Sequence, residues 1–89
     1  MDTVYGSSSN TILGAVRVHL VAATPVNGAD GVLSLYHARN TSVDPVLKLA
    51  CSNDETNAID YGGVVFPDGV LIAPDANVNH YSVSYEKIK

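Results

Sequence analysis

From Ile12 onward the chain alternates apolar and polar residues in short pulses, broken by turn chemistry at intervals too short for helices. Val16, Val18 and Leu20 point one way while Arg17 and His19 point the other, the signature of a half-buried strand running from Ile12 to about Ala23. The stretch Thr24 to Gly31 is rich in backbone breakers. Val32 to Ala38 then reads as a second strand, with Leu33 and Leu35 on one face and Ser34 and Tyr36 on the other. The length of the loop between them allows the two strands to be neighbours. Arg39 to Pro45 leads to a third strand, Val46 to Cys51, in which Leu47, Leu49 and Cys51 share a face opposite Lys48.

After the polar loop Ser52 to Asn57 come a short pulse at Ala58 to Tyr61, a bend or bulge at Gly62-Gly63, and further pulses at Val64 to Phe66 and Val70 to Ala73. Phe66-Pro67-Asp68-Gly69 places Pro and Gly where a tight turn wants a fixed φ and a positive φ. Pro74 to Asn77 closes the next pulse in the same way. Val78 to Glu86 is the clearest strand, with Tyr81, Val83 and Tyr85 alternating with His80, Ser82, Ser84 and Glu86.

The pattern predicts an all-β chain: a small antiparallel β-sandwich or flattened barrel of six to eight short strands, residues 12–89, preceded by a flexible arm over residues 1–11. The arm is expected because Gly6 to Asn10 offers little to bury and only Tyr5 serves as an anchor. The expected core draws on Val16, Val18, Leu20, Leu33, Leu35, Leu47, Leu49, Val83 and one parity of residues 64–72.

Eighty-nine residues make one domain, and a chain of this size buries roughly 60% of the surface its unfolded form exposes, so its own core is modest. Only 16% of residues are charged, against about 25% in ordinary globular proteins, which suits a surface packed against other chains. The net charge of −4 and the lack of a basic cluster argue against nucleic acid or an anionic membrane as partner. Cys51 is the only cysteine; no intrachain disulfide forms, and its apolar neighbours mark it as a buried filler rather than a nucleophile. No signal peptide and no run of about 20 apolar residues is visible, so the expectation is a soluble protein made without export.

Candidate chemistry is sparse. His19, His37 and His80 make a zinc site only if three strands bring them together, but His19 and His80 fall on polar faces and His37 on an apolar one. A His19–His80 pair across neighbouring strands is the milder alternative, and it would make an interface pH-sensitive. Asp54, Glu55 and Asp60 invite a calcium reading, yet their spacing matches no EF-hand and the loop reads more simply as turn formers. Ser7 to Ser9 lie in the arm, and Gly62-Gly63 lacks phosphate-loop spacing. No catalytic residue, cofactor-binding residue, metal ligand or cofactor is therefore assigned, and the chain reads as a non-enzyme.

Gly62 to Phe66 (GGVVF), Gly69 to Ile72 (GVLI), Val78 to Tyr85 and Val32-Leu33-Ser34-Leu35-Tyr36 together resemble a family of small all-β structural proteins of tailed bacteriophages. The resemblance implies a virion component that binds the major capsid protein or another virion protein: a capsid decoration (cement) protein stabilising the shell, or else a tail or neck adaptor, knob or fibre subunit. It also favours a trimer among homo-oligomers. A rival from another class is a carbohydrate-binding or adhesin-like β-sandwich. The absence of Trp, and the apolar parity of Tyr81 and Tyr85, weigh against that rival.

Overall fold

The structure, a computed structural model, describes residues 1–38, 45–52 and 55–88. Alternation at period two makes strands of β1 (Asp2–Gly6), β2 (Asn10–Leu13), β3 (Val16–Pro25), β4 (Gly31–His37), β5 (Leu47–Cys51), β6 (Asn57–Phe66), β7 (Gly69–Pro74) and β8 (Val78–Lys87). They build two four-stranded antiparallel sheets, β1-β8-β3-β6 and β2-β7-β4-β5, packed face to face as a small β-sandwich. The all-β sandwich expected from the sequence is what the chain forms.

The inner faces meet in one apolar core. Val16, Val18, Val21, Tyr81 and Val83 come from the first sheet, and Leu33, Leu35, Leu49, Val70 and Ile72 from the second. Phe66 and Cys51 are buried with them, while Leu47 and Val64 pack half-buried against the same cluster. Tyr81 is the largest side chain in it, and its hydroxyl donates a 2.7 Å hydrogen bond to the Ser8 carbonyl. A Cβ at Gly6 would collide with the Tyr81 ring, so the small residue on β1 makes room for the large one on β8.

Three sequence expectations are corrected. Residues 1–11 do not stand apart as an arm: β1 pairs with β8 from Asp2↔Tyr85 to Gly6↔Tyr81, and β2 pairs with β7 from Asn10↔Ile72 to Leu13↔Gly69. Leu20 is not a core residue. The register of β3 shifts between Val18 and Val21 against β8 and between Val18 and Leu20 against β6. This bulge flips the parity, so Val21 and Ala23 point inward and Leu20 is 42% exposed. Finally, β3 and β4 are not neighbours; the loop between them crosses from one sheet to the other.

That crossing is the rule. Only β4 and β5 are both consecutive in the chain and adjacent in a sheet; every other connection passes between the layers. The Pro67-Asp68 turn is one such crossing, and Gly69 leaves it at φ +106°, which L side chains rarely adopt. The two pulses at Ala58 to Tyr61 and Val64 to Phe66 are a single strand, β6, that runs through Gly62 and Gly63 at φ +74° and +99° opposite the bulge in β3. The connection Arg39 to Pro45 lies, apart from Pro45, outside the described residues.

Candidate functional site

Each sheet buries one face and turns the other outward, and the two outer faces differ in chemistry. In the four strands of the second sheet the only Asp, Glu, Lys or Arg is Lys48. Alternation places Thr11, Leu13, Leu71, Ala73, Tyr36, Ser34, Val32, Ala50 and Lys48 on its outer side, in rows such as Thr11–Leu71–Tyr36 and Ala73–Ser34–Lys48. Leu13 is 66% exposed. Antiparallel sheets with one solvated face normally make that face polar and charged; this one is mostly apolar and nearly neutral.

The outer side of the first sheet carries the polar groups. At one end Arg17 Nη1 donates to Glu86 Oε1 at 3.2 Å, and His19 Nε2 donates to the same oxygen at 3.1 Å. These hydrogen bonds, His19 first and Arg17 second, hold the Glu86 carboxyl below its usual range. Toward the other end Thr24 faces His80 across the β3–β8 ladder. The row Tyr5–Ser82–Ala22–Ala58 crosses all four strands. Small side chains at Ser82 and Ala22, with Tyr5 standing beside them, leave a hollow of about 280 Å3 lined by Tyr5, Ala22, Thr24, Thr56, His80, Tyr81 and Ser82. The Thr24 and Thr56 hydroxyls are hydrogen-bonded at 2.7 Å on its wall.

The histidines are dispersed. His80 lies in the hollow, and His19 sits by Glu86, six residues further along the β8 ladder, so the cross-strand His19–His80 pair does not form. His37 ends β4 inside the second sheet, edge-on to Phe66 with ring centroids 5.4 Å apart. Of the acidic trio, Asp54 lies outside the described residues. Asp60 Oδ1 accepts from the Gly62 amide at 2.9 Å, and the Glu55 amide donates to the Ser52 carbonyl at 3.0 Å. Among the described residues no group of three or more His, Cys, Asp or Glu is placed to hold a metal ion. Burial pushes the Cys51 thiol up, and the residue is only 2% exposed. Asp68 lies in the turn after β6, while Asp75 bonds the amides of Val32 and Asn77 and braces the β7–β8 turn.

One side of the sandwich is closed by side chains. Asn57 Nδ2 donates to the Ala50 carbonyl at 2.7 Å and the Tyr61 hydroxyl to the Lys48 carbonyl at 3.2 Å, so β6 satisfies the outer carbonyls of the edge strand β5. On the opposite side β1 and β2 are the edges of their sheets. Sequence reasoning placed His80 and Ser82 on a polar face but passed over Tyr5, which it had assigned to the arm. The signal that would have found it is the short alternation Thr3-Val4-Tyr5, in which only Val4 turns inward toward the core. Among known proteins, no family model, no curated protein and no solved structure matches this chain.

Proposed function

We propose that this chain is a non-enzymatic structural protein of a phage virion that decorates and stabilises the capsid, seating the outer face of its second sheet on the shell protein. The observation that carries the docking half of this reading is the near-absence of charge on that sheet, whose four strands hold Lys48 alone. An outer face with exposed Leu13 and flanking Leu71, Tyr36 and Val32 gains free energy when a partner removes it from water, at roughly 25 cal/mol per Å2 of apolar area. The resemblance of the GGVVF, GVLI and Val78–Tyr85 segments to tailed-phage structural proteins supplies the virion half.

The test is rebinding of the purified chain to particles that lack it. Saturable uptake on the order of hundreds of copies per particle is expected, as shell symmetry requires. Leu13→Asp and Ala50→Asp, both at exposed positions, are expected to abolish uptake without changing the circular dichroism spectrum or melting temperature. Val65→Asp, on the outer side of the first sheet, should bind as the parent does. Uptake of about six or twelve copies would overturn the capsid reading in favour of a neck or tail adaptor. No uptake at all, or undiminished uptake by Leu13→Asp and Ala50→Asp, would overturn the docking face.

A further inference from the structure

We propose that the hollow on the first sheet, between Tyr5 and the pair Thr24–Thr56, is a binding site for a neutral saccharide. Tyr5 is 76% exposed, and it stands at the end of a row whose next members, Ser82 and Ala22, are too short to cover its ring. The hollow thus combines the Tyr5 ring and Ala22 with the hydroxyl-bearing Thr24, Thr56 and Ser82 and the imidazole of His80. A pyranose has the matching surface, with C–H groups on one face and hydroxyls around its edge. Its C–H face lies against the tyrosine ring, and its edge exchanges hydrogen bonds with groups that both donate and accept.

Charge narrows the ligand further. Among the described residues no Asp, Glu, Lys or Arg lines the hollow. The nearest arginine along β3 is Arg17, seven positions from Thr24, or roughly 23 Å at about 3.3 Å per residue. Among the described lining residues a phosphorylated or acidic ligand would therefore meet no lysine or arginine. At about 280 Å3 the site lies just under the usual range for small-molecule pockets, roughly 300–1,000 Å3, which fits one or two sugar rings. The hollow opens on the side away from the second sheet, so it stays accessible when that sheet is docked, and its test uses the free chain, independent of any particle.

The experiment is a titration of the 15N-labelled chain with glucose, galactose, N-acetylglucosamine, lactose, maltose and chitobiose, followed by amide chemical shifts. At least one sugar is expected to shift Tyr5, Thr24, Thr56, His80 and Ser82 together, saturating in the millimolar range. Tyr5→Ala should weaken that sugar by about three- to tenfold, the scale of one ring contact, while Tyr5→Phe keeps it. The exposure of Tyr5 means that neither variant should move the melting temperature. No clustered shift with any of the six sugars, shifts confined to another face, or an unchanged affinity in Tyr5→Ala would each overturn the proposal.

Discussion

Leu49 and Leu20 carry the same side chain in opposite surroundings. Leu49 is 1% exposed between Leu33 and the first sheet, whereas Leu20 sits outside the β3 bulge at 42% exposure. Truncating Leu49 to Ala is expected to cost about 2–5 kcal/mol, the lost burial plus the cavity that its neighbours fill only in part. Leu20→Ala should cost about 0.5 kcal/mol or less. Chemical denaturation of the two variants checks this, and equal losses would mean that the register of β3 is not the bulged one. The contrast also shows what alternation reveals and what it hides. Val16 and Val18 were legible as core because their polar neighbours set the phase, but nothing in Arg17-Val18-His19-Leu20-Val21 announces that the phase slips there. The unbroken apolar run Leu20-Val21-Ala22-Ala23 was the one visible hint.

At the level of elements, β1 is the least obvious strand and the most consequential to remove. Its five residues contribute a single inward aliphatic side chain, Val4, with Gly6 seated under the Tyr81 ring. Periodicity over so few positions is indistinguishable from a polar tail, which is why an arm was expected. The pairing is dictated instead by β8, whose outer edge would otherwise stay open. Removing residues 1–6 is expected to destabilise the chain by about 1–3 kcal/mol, through loss of Val4 burial and the β1–β8 cross-strand pairs. A melting temperature unchanged by the truncation would return these residues to the status of an accessory arm. The hollow was half legible for the same reason: His80 and Ser82 belong to a strand with a clear phase, while Tyr5 belongs to one without.

For the whole molecule, the distribution of free edges bears on assembly. The β5 edge is satisfied by Asn57 and Tyr61, but β1 ends the first sheet with no neighbouring strand among the described residues and only Asp2 as a charge to discourage one. With 16% of residues charged, pairing of this edge with a second copy is the expected outcome. Light scattering at tens of micromolar is expected to give a mass above the 9.3 kDa of one chain, falling toward the monomer in Thr3→Lys, which puts a charge on the exposed β1 edge. A monodisperse 9.3 kDa species for the intact chain would reject it. Which strands share a sheet was not legible at all, because turn chemistry marks where a strand ends and is silent on whether the next one stays in the same layer.

The weave of connections has a kinetic side. The last strand, β8, is an interior member of the first sheet, lying between β1 and β3. While the chain is being synthesised, β1 and the β8-facing edge of β3 therefore have no strand partner until residues 78–87 have emerged. Closing Asp2 against Tyr85 joins segments at nearly opposite ends of the sequence, and such non-local pairings place folding among the slow topologies, in milliseconds to seconds. Nascent copies crowded on one message would hold complementary unpaired strands during that interval. Rapid engagement of β8, rather than the stability of the finished sandwich, then decides how much of the chain escapes mispairing with its neighbours.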